Sequence, residues 1–206
     1  MKGAIFSMMI CIYGASSQAL HPDYFSAAEA LGREMAARGH GLVFGGGARG
    51  LMGACARGVH SGGGEIVGVA PRFFDVDGIL YPHCTRFVYT DTMRQRKEIL
   101  ENESDAFAVL PGGVGTFDEF FEILTLKQLG RHGKPIALLN TRGYFDPLLA
   151  LLDRATQEGF LKAACRELYG VFSDPAALLT YLETAPQGLS DPLRMKNIAG
   201  LGGEPV

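Results

Sequence analysis

Residues 106–119, AFAVLPGGVGTFDE, decide the fold of this chain. The apolar run 106–110 predicts a buried strand, and aromatic and aliphatic side chains recur at helical spacing from residue 117 to residue 129. A strand therefore ends at Pro111, three glycines turn the chain, and a helix begins. Backbone N–H groups converge at such a turn, at the positive end of the helix dipole, where an anion is the natural ligand.

The glycines of this turn support two interpretations. Thr116 can cap the helix with Glu119 three residues later, which is a capping box and needs no function. Three glycines in four positions exceed what a cap requires, however, and glycine lets a phosphate approach the backbone closely. We therefore favour a phosphate-binding turn beside a carboxylate, with Gly112, Gly113 and Gly115 as candidate substrate contacts.

The rest of the chain alternates apolar runs with helical patterns, which is typical of a parallel sheet covered on both faces. We predict an α/β fold: a Rossmann-like, doubly wound, mostly parallel sheet of six or seven strands with helices on both faces, in a single domain over 1–185. The first strand is expected at 5–12, and Asp174 caps the last helix. A tail from 186 to 206 is expected to be flexible. Ligands of such sheets bind beyond the carboxyl ends of the strands, where the glycine-rich loops can meet.

Composition narrows the class of protein. The 206 residues are 47% hydrophobic and 20% charged, and the net charge of −3 argues against broad non-specific binding to nucleic acid. No apolar run reaches the ~18 residues of a membrane span. The four cysteines lie far apart without metal-ligand spacing, so we expect reduced, buried thiols in a cytoplasmic protein. The first apolar run also resembles a short signal peptide, but a doubly wound sheet needs it as a strand.

A second glycine-rich loop, Gly45-Gly-Gly-Ala-Arg-Gly50, matches the dinucleotide-binding fingerprint by its letters. It follows a later strand, and no acidic residue stands about 20 positions further on, so we do not favour NAD or FAD. Its N–H groups can still hold a phosphate, which makes Gly46 and Gly47 candidate contacts, or the loop simply packs tightly. The sequence has no Gly-Lys-Ser/Thr, which excludes a P-loop NTPase.

Three cations stand in the first turns of a predicted helix, in Met93-Arg-Gln-Arg-Lys97. Lys97 is explained by an (i, i+4) pair with Glu101, and Arg94 by a similar pair. Arg96 has no partner at that spacing, and its positive charge is unfavourable near the positive end of the helix dipole. An anion or a carboxylate close to Arg96 would compensate for this charge.

The helix after the glycine turn has two flanks. Glu119, Glu122 and Thr125 follow one another at three-residue steps along one of them. The other flank is predicted as core: Phe120, Phe121 and Leu124. A carboxylate one turn from a phosphate can act as a base on water or stabilise a developing cation, whereas Glu122 is more simply explained as solvent-exposed. None of the five histidines has the spacing of a triad or a metal site.

Together these motifs resemble the LONELY GUY family, the cytokinin riboside 5′-monophosphate phosphoribohydrolases. The resemblance rests on Pro-Gly-Gly-x-Gly-Thr-x-x-Glu at 111–119, on Arg96-Lys97, and on Gly-Gly-Gly-x-x-Gly-Leu-Met-Gly at 45–53. It extends from about residue 10 to residue 182 through shorter matches: Ser104-Asp-Ala106, Gln128-Leu-Gly130, Lys134-Pro135, Leu139-Asn140 and Gly143-Tyr144. This combination is far more specific than any single loop.

The resemblance implies a homodimer that hydrolyses the N-glycosidic bond of a nucleoside 5′-monophosphate, giving a free adenine-type base and ribose 5-phosphate. It implies no metal, no redox cofactor, no nucleic acid and no membrane partner. Arg96 and Glu119 become the catalytic pair. Substrate contacts fall on Lys97, Gly113, Val114, Gly115, Thr116, Phe117, Asp118 and Thr125. In the first loop, Gly14, Ser16 and Ser17 border the phosphate or the ribose.

Three positions depart from the family pattern, so the wall that recognises the base is expected to differ. Arg94 stands where the family often has His, Leu126 where it often has Trp, and Gly78 where many members carry Glu. The alternative function is a non-catalytic nucleotide or molybdenum-cofactor carrier of the same fold. A lysine decarboxylase is not favoured, because that chemistry ordinarily needs an electron sink such as a Schiff-base cofactor.

Overall fold

The computed structural model describes residues 7–76 and 78–195, which form an α/β unit around one parallel sheet. Its seven strands are β1 (Met9–Tyr13), β2 (Gly41–Phe44), β3 (Ile66–Pro71), β4 (Arg86–Thr90), β5 (Ala106–Val109), β6 (Ile136–Leu139) and β7 (Gly170–Phe172). The helices are α1 (Pro22–Ala37), α2 (Gly50–Ser61), α3 (Met93–Asn102), α4 (Val114–Gln128), α5 (Asp146–Gln157), α6 (Pro175–Thr184) and α7 (Pro192–Met195). The predicted Rossmann-like class is confirmed.

The order of the strands creates the crevice in which a ligand can bind. The sheet runs β4-β3-β2-β1-β5-β6-β7, so the chain moves outward from β1 to one edge and then returns to the other side of β1. Ile10 accordingly lies opposite both Leu42 of β2 and Ala106 of β5. Loops that leave β1 and β5 in different directions open a gap between them, which is where doubly wound sheets bind ligands.

Both faces of the sheet are covered, as the continuously apolar strands predict. In β1, Ile10 and Ile12 belong to one core cluster and Cys11 and Tyr13 to the other. Helices α1, α2 and α6 contribute to the first cluster, and α3, α4 and α5 pack against the second. The layers are thus helix, sheet and helix, with no strand face left to solvent in the middle of the sheet.

The beginning of α4 differs from the prediction. Gly113 is the N-cap of this helix, so α4 begins three residues before the predicted Phe117 and Thr116 lies inside its first turn. Thr116 and Glu119 therefore do not form a capping box. The reason is that a glycine cap has no side-chain signature in the sequence. By contrast, Asp174 caps α6 as predicted, because its carboxylate accepts a hydrogen bond from the Ala177 N–H over 2.8 Å.

The buried stripe of α4 also differs from the prediction. Phe120 and Ile123 are fully or almost fully buried, while Phe121, predicted as core, is 38% exposed. The residues that face the sheet recur at steps of three and four, which leaves Phe121 on the outer side.

The two ends of the chain lie only partly within the described residues. The predicted start of the first strand at residue 5 falls outside them, and β1 begins at Met9. Of the predicted tail, Met195 is buried and its carbonyl accepts a hydrogen bond from Gln128 Nε2 over 3.0 Å. Residues 196–206 lie outside the described part, so the flexible tail stays a prediction. Within the described ranges, no helix has the length and apolar character that crossing a bilayer requires.

Candidate active site

Three loops meet at the crevice beside β1, as the glycine-rich sequences predict. The Ala15 N–H, after β1, donates a hydrogen bond to the Pro111 carbonyl after β5 over 3.0 Å. The Ala15 carbonyl accepts one from the Leu51 N–H, at the start of α2, over 2.8 Å. These two bonds hold the loops around a cavity of about 540 Å³.

Among the described residues, the cavity lining consists of small residues, four polar side chains and an apolar group. The small lining residues are Gly14, Ala15, Gly45, Gly47, Gly113 and Gly115. The polar side chains are Ser16, Arg96, Thr116 and Glu119. The apolar group is Met52, Phe74, Ile79, Leu80, Met93 and Val114.

Arg96 and Glu119 form a buried ion pair on this lining. Arg96 Nη2 lies 3.2 Å from Glu119 Oε1, and only 8% and 9% of the two side chains are exposed. Arg96 Nε also donates to the Val69 carbonyl within β3 over 3.3 Å. The carboxylate that the sequence requires near Arg96 is therefore Glu119, which reaches it from the neighbouring helix.

The position of the guanidinium depends on Gly45. A Cβ atom on Gly45 would lie 2.0 Å from Arg96 Nη2, which is far inside van der Waals contact. Glycine is therefore required at the first position of the dinucleotide-like loop, because Arg96 approaches its backbone too closely for a side chain.

Glu119 has an unusual proton affinity. Burial raises its pKa from the ordinary 4.5 to about 7, while the positive charge of Arg96 opposes this shift. Asp118 raises the pKa further, Lys97 lowers it and Glu122 raises it. A carboxyl group with a pKa near 7 exchanges its proton readily at neutral pH, which suits a general base or acid.

Lys97 does not make the predicted pair with Glu101. Its Nζ lies 3.1 Å from Asp118 Oδ2 and 2.8 Å from Glu122 Oε2, across the contact between α3 and α4. The packing of the two helices brings these carboxylates closer than any residue one turn along α3. Lys97 thus neutralises the two acidic neighbours of Glu119, and Glu122 is ion-paired as well as partly exposed.

The start of α4 presents an anion site to the cavity. The first intrahelical bond of α4 runs from the Phe117 N–H to the Gly113 carbonyl, so the N–H groups of the preceding turn have no helical partner. Open space surrounds the positions that side chains would take on Gly113 and Gly115. A Cβ on Gly112 would lie 2.1 Å from Thr116 Oγ1, so this glycine makes room for the hydroxyl.

The other predicted contacts lie beside the cavity and not on its lining. Ser17 Oγ accepts a hydrogen bond from the Ala19 N–H, and the Gly46 carbonyl accepts one from the Tyr81 N–H. Thr125 is exposed on the outer side of α4. The remaining positions are those already described, Lys97, Gly112 and Asp118, together with Phe117, which packs against the second core cluster. In the described ranges, no set of three or more His, Cys, Asp or Glu side chains can hold a metal ion.

Except for Val114, which was predicted as a substrate contact, the apolar group on the lining was not predicted as part of the site. Phe74, Ile79 and Leu80 belong to the irregular segment after β3, and Met52 and Met93 lie in the first turns of α2 and α3. The sequence does contain a signal for the segment after β3. Because this segment follows a parallel strand, it begins at the same edge of the sheet as the glycine loops and can therefore reach the cavity.

Comparison of the sequence with known proteins gives matches over most of the chain, under two different descriptions. The family model described as "possible lysine decarboxylase" matches residues 52–182. The probable cytokinin riboside 5′-monophosphate phosphoribohydrolase LOGL2 of Oryza sativa subsp. japonica is 39% identical over 174 residues, 84% of this chain and 71% of that protein. The cytokinin riboside 5′-monophosphate phosphoribohydrolase LOG2 of Arabidopsis thaliana is 38% identical over 174 residues, 84% of this chain and 82% of that protein.

Solved structures share the fold at lower sequence identity. The molybdenum cofactor binding protein of Rippkaea orientalis has a TM-score of 0.67 and 21% identity, over 86% of this chain and 96% of that one. The Moco carrier protein of Chlamydomonas reinhardtii has a TM-score of 0.65 and 23% identity, over the same shares of the two chains. At these identities the likeness extends to the fold alone.

Replacing Gly45 by Ala is expected to displace Arg96 while the fold survives, since the clash falls on the far end of a flexible side chain. Without the nearby guanidinium, the pKa of Glu119 should rise above 7. The measurement is a ¹³C NMR titration of the Glu119 carboxyl carbon, assigned with Glu119→Gln. Gly47→Ala is the control, because its Cβ would make an ordinary 3.6 Å contact with Met52 Cε. An unchanged pKa in Gly45→Ala would contradict the role of this glycine.

Replacing Lys97 by Met is expected to raise the pKa of Glu119 above 7, because Asp118 and Glu122 then lose the cation that neutralises them. The same NMR titration measures the effect. Lys97→Arg should keep the pKa near 7, and Lys162→Met should leave it unchanged, because Lys162 Nζ donates to the Leu193 carbonyl and not to an acidic neighbour of Glu119. A pKa that does not move in Lys97→Met would mean that Lys97 only joins the helices.

Proposed function

The chain belongs to the family of cytokinin riboside 5′-monophosphate phosphoribohydrolases, and on that premise we propose that it hydrolyses the N-glycosidic bond of adenosine 5′-monophosphates, plain or N6-modified. The products are the free base and ribose 5-phosphate. The observation that carries the proposal is the Arg96–Glu119 pair, 3.2 Å apart on the lining of a cavity that also contains the first turn of α4.

The phosphate of the substrate binds at the start of α4. The free N–H groups of the first turn and the Thr116 hydroxyl donate to its oxygens, and the helix dipole favours its negative charge. Gly113 and Gly115 leave the space that the phosphate needs. The binding energy of this remote group is used to orient the ribose over the reacting residues.

Glu119 then acts on the sugar. The bond between C1′ and the base nitrogen breaks with its electron pair leaving on the base, and the ribose gains oxocarbenium character. The carboxylate stabilises that positive charge and accepts a proton from the water whose oxygen bonds to C1′. The departing base takes up a proton from solvent, and Glu119 returns its own proton to solvent, so the products are the neutral base and ribose 5-phosphate. With a pKa of about 7, Glu119 holds enough ionised form at neutral pH and is also a useful base. Arg96 fixes the orientation of the carboxylate.

Glu119→Gln is expected to lower kcat for release of adenine from AMP by about 10²–10⁴-fold, the usual contribution of a positioned acid–base group. The amide keeps the shape of the side chain, so the circular dichroism spectrum should not change. Released base and ribose 5-phosphate are quantified by chromatography. Glu98→Gln, an exposed position on α3 away from the cavity, is the matched control.

Two results would contradict the proposal in different ways. Unchanged turnover in Glu119→Gln would remove Glu119 from the chemistry. Tight binding of a nucleotide or a pterin by the unaltered protein, without any release of base, would favour the alternative of a non-catalytic carrier.

The outer side of α4 supports a second part of the proposal, that two copies of the chain form a homodimer. Phe121 is 38% exposed there and forms, with Leu124, Leu152 and Leu161, an apolar groove between α4 and α5. Leu151 of α5 is 62% exposed. Neighbouring exposed apolar side chains of this kind often mark protein–protein contacts.

Light scattering after size exclusion is expected to give twice the 22.1 kDa of the chain. Phe121→Asp puts a charge in the apolar contact and should shift the mass to that of one copy at micromolar concentration. Ser26→Asp, on α1 at the opposite face of the sheet, should leave the mass unchanged. A dimer that persists in Phe121→Asp would place the interface elsewhere.

A further inference from the structure

The four polar side chains that the described residues place on the cavity lining all have a proposed role at the sugar or the phosphate. Arg96 and Glu119 act at the ribose, Thr116 lies in the phosphate turn, and Ser16 is in the loop assigned to the phosphate or ribose. Among the described residues, the rest of the lining offers only glycines, Ala15 and the apolar group. No described side chain is therefore left to form a hydrogen bond with the base.

Backbone groups beside the apolar group are engaged with one another. The Ala48 N–H donates to the Ile79 carbonyl over 2.8 Å, and the Tyr81 N–H donates to the Gly46 carbonyl over 2.8 Å. Within the segment after β3, the Ile79 N–H donates to the Val76 carbonyl over 3.0 Å. The N–H donors named here are thus already used in holding this segment on the loop after β2.

The three positions that depart from the family pattern, Arg94, Leu126 and Gly78, do not add a polar group to the apolar group of the lining. Arg94 is exposed and does not line the cavity, and Leu126 lies on the outer side of α4. Gly78 has φ +75°, a conformation that disfavours any side chain, so the turn itself selects against a carboxylate at this position.

The apolar side chains of the lining suit flat aromatic bases that carry different substituents. Phe74 places an aromatic ring on the lining, and any base can stack on such a ring because every base has a π-face. Met52 and Met93 are flexible and polarisable, and methionine-rich surfaces adapt to ligands of different shape. Ile79 is 38% exposed, so the wall is open to solvent at its rim and leaves room for substituents.

We propose that the substrate class of this site is purine nucleoside 5′-monophosphates in general, with 6-amino and 6-oxo bases alike, because the described side chains left for the base offer stacking and apolar contact and no hydrogen-bonding group. This inference rests on the proposed function. Apolar pockets discriminate between ligands that differ by a small group by about 10–200-fold, whereas sites that hydrogen-bond the differing group reach about 10⁴–10⁵-fold. AMP, IMP and GMP should therefore have kcat/KM values within about 200-fold of one another.

The test measures kcat/KM for release of base from AMP, IMP and GMP, with adenosine as the substrate that lacks the phosphate. The expected result is a spread within the stated range for the three nucleotides and a much lower value for adenosine. Cleavage of AMP with a wider spread among the nucleotides would overturn the inference and leave the proposed function standing. Release of base from N6-prenylated AMP but from none of these three nucleotides would overturn the inference alone. Release from none of the four would overturn the proposed function and the inference with it.

A substitution in the apolar group tests whether contact with these side chains is the reason that the site accepts different bases. Ile79→Gln adds an amide that can donate to and accept from a base edge, so the AMP to GMP ratio of kcat/KM should change by at least about 10-fold. Val76→Gln is the control: Val76 belongs to the same segment and is 55% exposed, but does not line the cavity. An unchanged ratio in Ile79→Gln would mean that the base does not contact this wall.

Discussion

The buried contact between Arg96 and Glu119 is the interaction on which the rest of the site depends. Removing two charges from water costs several kcal/mol per ion, and this cost is offset only where the geometry is good and further hydrogen bonds are made. The structure meets those conditions. The Val69 carbonyl accepts a hydrogen bond from the guanidinium of Arg96, and Gly45 leaves space for that guanidinium. Lys97 neutralises the other carboxylates beside Glu119. The sheet edge, α3 and α4 must keep their relative positions for the pair to exist.

The burial of the ion pair also sets the pKa of the Glu119 carboxyl group. Desolvation alone would push the pKa of Glu119 higher still, and the guanidinium opposes that shift, so the balance falls near neutral pH. In the proposed reaction, a water-poor pocket that makes the carboxyl group basic also strengthens its attraction to a developing cation on the sugar. The glycine turn at the start of α4 is only a few residues from Glu119, so one helix supplies both the anion site and the reacting carboxylate.

Much of the fold follows from local signals in the sequence. Apolar runs, helical periodicity and glycines after strands are sufficient for the sheet, the helices and the meeting of three loops. What the sequence leaves undetermined depends on contacts between elements. The partners of Lys97 arise from the packing of α3 on α4, and the use of Gly45 arises from a side chain that is distant in sequence. The apolar wall comes from an irregular segment without a periodic pattern, and the glycine cap of α4 has no side chain to mark it.

The most direct test of the central claim is a crystal structure of Glu119→Gln with AMP, in which the substrate cannot be consumed rapidly. We expect the phosphate within about 2.7–3.2 Å of the N–H groups of the first turn of α4. We also expect C1′ within about 3–3.5 Å of the side-chain amide at position 119 or of a water that this amide holds. A phosphate bound at the loop after β2, with C1′ remote from position 119, would contradict the account.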